Sequence, residues 1–393
     1  MKRLQVLLLV ALSSTLFLFG CGKEEEPEKA AVELFAEQQP ELQEQETSEN
    51  QTVQTQEDET PPAEGMVRST LTNEWIDGEL ANARPISIMI PNDSAALPHY
   101  NLSKADILYE CPVEGGITRC MAVIKDWEDM ERIGNVRSCR DYFVYWSFEW
   151  DSIYLHYGGP FYINTIIEKS DTDHITGSPY GNKRTDNMYE KAFFRSTDKK
   201  APHNAYASGE GINAAIEKFD YSKTYRDNYY DPNHFRFASP KQPNTLEQYS
   251  DAVTAGEIDL QPAYSKTDTA FTYNPEDGLY YRYMYGKADT DAANDNQQLA
   301  FKNVLIQFTY HEVRDEKGYL AFQVHDTTRD GYFFTNGKGI HVTWKKTADY
   351  EPTRYYDDNG NEIEVNTGKT MICILREGDS FEADGTSLKS RVN

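Results

Sequence analysis

The chain has 393 residues, enough for two ordinary domains with a sizeable core. Its charged fraction is 26 % and its formal net charge is −25, which excludes a nucleic-acid partner, because binding phosphate backbones needs a basic surface. Aromatic residues reach 13 %, with 27 tyrosines, a content that suits β-rich surface proteins and glycan-stacking platforms alike.

Residues 1–21 have the pattern of a lipoprotein signal peptide. Two basic residues precede an apolar run at 4–19, which is short for a membrane-spanning helix and typical of a signal peptide. The run ends in LFGC, which resembles a bacterial lipobox. That resemblance implies that Cys21 carries lipid and holds the chain on the extracytoplasmic face of the membrane. An ordinary cleaved signal with a chance cysteine is the alternative.

The next stretch, 22–70, is predicted to be a disordered acidic tether. Its first 44 residues, 22–65, carry fourteen Asp or Glu and two Lys. A segment of this composition cannot bury enough apolar area to offset its chain entropy. Ordered structure is therefore expected from about Leu71.

Residues 71–230 are predicted to form an N-terminal α+β or α/β domain. Apolar runs predict strands at 84–92, 105–111, 117–126 and 152–157. A helix is predicted from Ser138, as N-cap, to Trp150, and a second helix follows a Gly-Gly-Pro turn and runs to about Lys169. Strands that alternate with helices indicate a layered domain.

Residues 264–393 are predicted to form a smaller all-β domain, a barrel or sandwich, after a polar connecting segment at 231–263. Glycine turns at 277–278, 317–318, 336–337 and 359–360 each separate two strand-like runs. No amphipathic pattern of helix length intervenes.

The cysteines leave one question open and indicate no metal site. Cys111 and Cys120 flank a turn at 115–116 and would face each other across a hairpin, as a disulfide or as buried free thiols. No CxxC or Cys/His metal spacing occurs, and the signatures GxSxG, HExxH and GxxxxGK[ST] are absent. No cofactor is predicted.

Arg137 and Arg140 are the most informative charged residues. Both lie at the predicted start of a helix, where a cation is unfavourable unless an anion is present. A bound phosphate or carboxylate would be favoured there by the guanidinium groups, by Ser138 and by the free helix N–H groups. Salt bridges to Asp141, Glu110 or Glu114 are the alternative.

Other polar residues could complete such a site. Glu110, Glu114 and Arg119 lie near the double-glycine turn, where they would line a site rim or form a solvated turn. His156 ends a strand, and His203 and Asn204 lie in a loop. Both histidines are candidates for proton transfer. The alternative for His156 is a buried histidine that only makes hydrogen bonds, and the alternative for His203 and Asn204 is a turn stabilised by the Asn204 side chain.

The order of the motifs resembles the YerB-like family of bacterial lipoproteins. The matching segments are RPISIMIPN, LSKADILYE, VEGGITR, IGNVRSCRDYF, HYGGP and APHNAY, with NVLIQF, GKGIHVTWKK and PTRYYDDNGNEI in the tail. The resemblance spans about residues 75–376 and implies an N-terminal and a smaller C-terminal module, both of unknown function, on a membrane-anchored protein. It supplies no reaction and no catalytic residue. Its motif positions are unusually polar here, which favours one shared site.

The sequence therefore predicts a lipid-anchored protein whose N-terminal domain binds an anionic, phosphate-bearing cell-envelope ligand. Arg119, Arg137 and Arg140 would hold the charge, and Glu110 or Glu114 would orient an arginine. The residues leave open whether the protein is an enzyme, and they do not indicate its oligomeric state. Two alternatives remain: an interaction protein with a structural Arg/Glu network, and a glycan-binding module that uses exposed tyrosines.

Overall fold

The structure is a computed structural model that describes residues 60–391. The predicted signal peptide, Cys21 and most of the predicted tether lie outside the described residues. Within 60–391, no helix is long and apolar enough to cross a membrane.

The described chain is mostly strands with few helices. Up to residue 222 the strands are β1 Met66–Arg68, β2 Trp75–Asp77, β3 Ile86–Pro91, β4 Ile107–Pro112, β5 Thr118–Ile124, β6 Ile133–Gly134, β7 Ile153–His156, β8 His174–Thr176, β9 Phe193–Arg195 and β10 Ala205–Ala207. The α-helices are α1 Asp141–Phe148, α2 Asn164–Ile167 and α3 Gly209–Phe219. The remaining strands are β11 Val253–Thr254, β12 Glu257–Asp259, β13 Ala270–Asn274, β14 Leu279–Met284, β15 Lys287–Ala288, β16 Thr290–Asp291, β17 Gln297–Gln298, β18 Ala300–Phe301, β19 Asn303–Thr309, β20 His311–Val313, β21 Leu320–Phe322, β22 Thr327–Thr335, β23 Lys338–Lys346, β24 Arg354–Tyr356, β25 Thr370–Arg376, β26 Ser380–Ala383 and β27 Thr386–Lys389.

One mixed sheet of eleven strands forms the centre of the described chain. Its order is β11-β23-β22-β19-β25-β4-β5-β3-β7-β8, and β24 also pairs with β23. The join between the two predicted domains is the parallel pair β25–β4, in which Cys373 lies opposite Glu110. Strands from both halves of the sequence therefore build one sheet, and the boundaries at 230 and 263 stay a prediction.

Both faces of the central sheet are covered, as the continuous apolar runs of its strands require. Successive side chains of β3 point to opposite faces of the sheet, so the neighbours Ile88 and Met89 enter two different cores. One core is shared with α3 and with a seven-stranded sheet made of β12–β15, β18, β26 and β27. The other core is closed by α1 and α2, whose Phe143 and Ile166 are buried against it.

Several predicted elements are confirmed and others need correction. The four predicted N-terminal strands are present as β3, β4, β5 and β7, and the C-terminal half is all-β. The second helix is shorter than predicted, a 3-10 turn at Phe161–Ile163 that leads into α2. Strand β1 falls inside the stretch 22–70 that is predicted to be a tether. It is ordered because it pairs with β2, and the Arg68 guanidinium lies 4.0 Å over the ring of Trp75.

Candidate functional site

The segment 133–140 crosses the carboxyl ends of two parallel strands, β3 and β7. Its Arg137 N–H donates to the Met89 carbonyl of β3 at 2.9 Å, and the Arg137 carbonyl accepts from the Tyr157 N–H, just after β7, at 2.9 Å. Arg119, at the start of β5, lies opposite Pro91 at the end of β3. Ligands of open sheets containing parallel strands bind at such carboxyl ends.

The start of helix α1 differs from the prediction. The N-cap is Arg140, not Ser138, and it makes no side-chain capping bond. Ser138 instead donates from Oγ to the Tyr157 carbonyl at 3.2 Å. The negative charge in the first turn of the helix is Asp141, which pairs with Arg314. The helix start is therefore supplied with a carboxylate from the chain itself.

Arg140 is neutralised by Glu114. Its Nε donates to Glu114 Oε2 at 3.0 Å, and its Nη2 donates to Glu114 Oε1. Burial acts to lower the pKa of Arg140, but the bonds to Glu114 outweigh it and leave the pKa raised. Of the alternatives stated above, the salt bridge describes this arginine.

Arg119 is only partly satisfied. Its Nη1 donates to the Ser138 carbonyl at 2.7 Å, and its Nη2 lies 3.7 Å from Glu114 Oε1. Its Nε is buried and has no hydrogen-bond partner among the described residues. Burial and the charge of Arg140 lower the pKa of Arg119 to about 9.

Arg137 is the least satisfied of the three arginines. Its Nε is buried with no hydrogen-bond partner in the described part of the chain, and no described carboxylate lies within 4.0 Å of its guanidinium. Burial lowers its pKa, Asp93 partly offsets this effect, and Arg140 adds to it. Arg137 therefore holds a charge that nearby groups compensate poorly.

His203 and Asp93 interact electrostatically with Arg137, and each has an unsatisfied side-chain atom. His203 Nδ1 is 3.8 Å from Asp93 Oδ2, too far for a hydrogen bond, and neither atom has a partner within residues 60–391. Burial, partly offset by Asp93, lowers the pKa of His203, and the charge of Arg137 lowers it further. Asn135, whose Nδ2 donates to the His203 carbonyl at 2.6 Å, has an unpartnered Oδ1.

We call this group the arginine cluster: Arg119, Arg137, Arg140, Glu114, Asp93 and His203. With His203 neutral, three guanidinium groups face two carboxylates, so the cluster carries one surplus positive charge. Such a surplus within a chain of formal net charge −25 is a local reversal of sign. Guanidinium groups with free N–H donors are suited to phosphate and carboxylate.

Glu110 does not belong to the cluster. It lies opposite Cys120 on the hairpin, so its side chain points to the other face of the sheet from Arg119. There it is fully buried and accepts from Arg282 Nη2 at 2.7 Å and from Thr118 Oγ1 at 2.6 Å. It is part of a buried network that joins the two halves of the chain.

The side chains of His156 and Asn204 make their hydrogen bonds to residues outside the arginine cluster. His156 is fully buried, with Nδ1 2.8 Å from the Gly158 carbonyl and Nε2 3.2 Å from His174 Nδ1. Burial lowers the pKa of His156 to about 4. Asn204 accepts from Arg195 Nη1 at 2.7 Å and donates to the Ser196 carbonyl at 3.0 Å, which stabilises its own loop.

The four cysteines among residues 60–391 are buried and unpaired. Cys111, Cys120, Cys139 and Cys373 are all free. Cys111 lies opposite Arg119 rather than Cys120, so the two hairpin cysteines enter opposite cores and form no disulfide. Burial raises the pKa of Cys139 to about 12, which makes it a poor nucleophile.

Asp93, Asn135 and Lys199 were missed by the sequence reasoning. Asp93 lies two residues after the end of the buried strand β3, and a polar residue close to a strand end was a usable signal. Lys199 donates to the Pro98 carbonyl at 2.6 Å, and burial lowers its pKa to about 8. Asn135 lies two residues before Arg137 in the same segment, whereas Lys199 comes from a loop distant in the sequence, which no local pattern reveals. Among residues 60–391, no group of three or more His, Cys, Asp or Glu side chains is arranged to hold a metal ion.

Comparison with known proteins identifies the family. Residues 71–222 match the domain described as "Protein of unknown function (DUF3048) N-terminal domain", and residues 258–372 match its C-terminal domain. The chain belongs to the DUF3048 family. It is 27 % identical over 324 residues to "Putative lipoprotein YerB" of Bacillus subtilis (strain 168), covering 82 % of this chain and 90 % of that protein.

A solved relative has the same fold. The crystal structure of the YerB protein from Bacillus subtilis matches with a TM-score of 0.65 and 26 % identity, over 79 % of this chain and 96 % of that chain. Both DUF3048 domains contribute strands to the central sheet, and the arginine cluster lies in the N-terminal domain.

Proposed function

We propose that this DUF3048 protein is a membrane-anchored extracytoplasmic lipoprotein whose N-terminal domain binds a phosphate-bearing ligand of the cell envelope. Cys21 carries the lipid, and 22–59 connects it to the described chain. The similarity to a relative named as a lipoprotein supports the anchoring, together with the lipobox-like LFGC.

The observation that carries the proposal is that the buried Nε atoms of Arg119 and Arg137 have no hydrogen-bond partner and that, among residues 60–391, Arg137 also has no carboxylate within 4.0 Å, unlike the buried Arg282. Leaving a buried donor without a hydrogen-bond partner costs about 1–3 kcal/mol in free energy, and a donor on a charged group costs more. Proteins retain such groups where a ligand or ordered water completes them. An anion that accepts from these donors also neutralises the surplus charge of the cluster.

The three arginines differ in their proposed roles. Arg137 and Arg119 receive the anion, because their donors are incompletely used. Arg140 is held by Glu114 and keeps that carboxylate in place beside Arg119. His203, whose pKa is lowered by the charge of Arg137, is the candidate for a hydrogen bond or proton transfer to the ligand.

A structural Arg/Glu network is the second candidate, and the paired bonds between Arg140 and Glu114 favour it. In that case the cluster stabilises the fold and binds no ligand. The two functions differ in what removal of Arg137 does. A structural arginine stabilises the apoprotein, whereas an unpaired arginine surrounded by like charge does not.

The test is thermal unfolding of the full chain, as wild type and as Arg137→Ala, with and without pyrophosphate. We expect the variant to melt at or above the wild-type temperature and to lose the stabilisation by pyrophosphate. Arg236→Ala is the matched control, since Arg236 is 54 % exposed and pairs with Glu364 outside the cluster. A large loss of stability in Arg137→Ala, with no effect of pyrophosphate on wild type, supports the structural network.

A further inference from the structure

A row of aromatic side chains leads away from the arginine cluster across the surface. The Arg140 guanidinium carbon lies 5.1 Å from the ring centre of Tyr319, and the rings of Tyr319 and Tyr162 are 5.7 Å apart. The rings of Tyr162 and Phe161 are 4.0 Å apart. Phe161 is 52 % exposed, and we call these three residues the aromatic row.

The aromatic row is assembled from both halves of the chain. Phe161 and Tyr162 lie in the 3-10 turn that follows the Gly-Gly-Pro segment, and Tyr319 precedes β21. Phe161 lies at the surface, where it leaves apolar area in contact with water, which is unfavourable. Contiguous exposed apolar surface that is rimmed by polar residues marks ligand-binding grooves and interaction sites.

Polar groups are interleaved with the aromatic row. Tyr162 donates from its hydroxyl to Asp315 Oδ2 at 2.9 Å, and the guanidinium carbon of Arg314 lies 4.9 Å from the Tyr162 ring centre. An acyl chain laid over these rings would remove Asp315 and Arg314 from water with no new partner, which is unfavourable. A sugar ring offers C–H groups to the rings and hydroxyl groups to the polar side chains.

We infer that the ligand is a phosphorylated saccharide, with its phosphate at the arginine cluster and its sugar on the aromatic row. This inference rests on the proposed function, because the phosphate must bind at Arg119 and Arg137. It adds the chemical class of the group that carries the phosphate. Charge complementarity places the phosphate, and the direction of the row from Arg140 to Phe161 places the sugar.

The test compares glucose 1-phosphate with inorganic phosphate by calorimetric titration of the full chain. We expect the sugar phosphate to bind about tenfold more tightly than phosphate, since stacking and added hydrogen bonds contribute about 1.4 kcal/mol. In Phe161→Ala and in Tyr319→Ala this advantage falls to about threefold or less, and in Phe161→Ala, which does not contact Arg140, the affinity for inorganic phosphate is unchanged. Tyr283→Ala, which changes a half-buried tyrosine of the other large sheet, keeps the full advantage.

The outcomes separate the inference from the proposed function. If neither compound binds, the proposed function fails. If both bind with equal affinity in the wild type, or if Phe161→Ala keeps the advantage, only the saccharide inference fails. If vesicles of phosphatidylglycerol bind through Phe161 while glucose 1-phosphate shows no advantage, the row recognises lipid and the inference is overturned.

Discussion

Replacement of Glu114 by glutamine should weaken the fold and strengthen anion binding at the same time. Glu114 accepts from Arg140 and lies 3.7 Å from Arg119, and it is the only carboxylate within 4.0 Å of either guanidinium in the described chain. Its side chain is 25 % exposed, so solvent screens part of the interaction. We expect a loss of about 2–3 kcal/mol in unfolding free energy, below the 3–5 kcal/mol of a fully buried pair.

The same substitution removes a negative charge that competes with a bound anion. With an effective dielectric constant of about 20, a unit charge several ångströms away contributes about 1–2 kcal/mol, or roughly a tenfold change in affinity. The assay is urea unfolding of wild type and Glu114→Gln, followed by calorimetric titration with pyrophosphate. Glutamine keeps the shape of the side chain, so any difference reports charge.

The pH dependence of the two proteins gives a further check. Burial acts to raise the pKa of Glu114, but Arg140 and Arg119 outweigh it and the pKa is lowered from 4.5. A lowered folded-state pKa contributes stability above about pH 4.5 that is lost as the pH falls. The stability difference between wild type and Glu114→Gln should therefore shrink in acid. Weaker pyrophosphate binding by the variant, or unchanged stability, would refute this account of the cluster.

Three further predictions concern residues placed by the structure. Arg282→Ala should lower the unfolding free energy by about 3–5 kcal/mol in urea titration, because it leaves the buried carboxylates of Glu110 and Asp289 unpaired. A loss under about 1 kcal/mol would contradict the buried network. Dithiothreitol should leave the melting temperature unchanged, since Cys111 and Cys120 are free thiols in different cores, and a fall would indicate a disulfide. Pyrophosphate affinity should rise as the pH falls below about 6.5, because protonation of His203 adds a positive charge. The variant His203→Gln should abolish this rise. The control His156→Gln, which changes a buried histidine outside the cluster, should keep it.

The strands were predictable because local pattern determines them. Apolar runs bounded by turn residues predicted β3, β4, β5 and β7, and the Asn-Gly turn predicted the hairpin of β22 and β23. The register of the β4–β5 hairpin was not predictable in the same way. A symmetric turn at 115–116 would place Cys111 opposite Cys120, but the chain forms a 3-10 turn at Glu114–Gly116 and the register shifts by one residue.

That shift decides which residues meet. A one-residue change in register moves side chains to the other face of a sheet, so Glu110 points away from Arg119 and towards Arg282. The carboxylate at the arginines is instead Glu114, from the turn itself. Asp93 and His203 come from loops 110 residues apart, and only the folded chain shows that they are neighbours.

The most direct test of the central claim is the dissociation constant of pyrophosphate for the full chain, measured calorimetrically for wild type, Arg137→Ala and Arg236→Ala. One charge-assisted hydrogen bond contributes about 1.5–3 kcal/mol, so we predict that Arg137→Ala binds about ten- to a hundredfold more weakly. Arg236→Ala should bind as the wild type does, since its guanidinium pairs with Glu364. Equal dissociation constants for the wild type and Arg137→Ala, or no binding to the wild type, would contradict the assignment of the arginine cluster as an anion site.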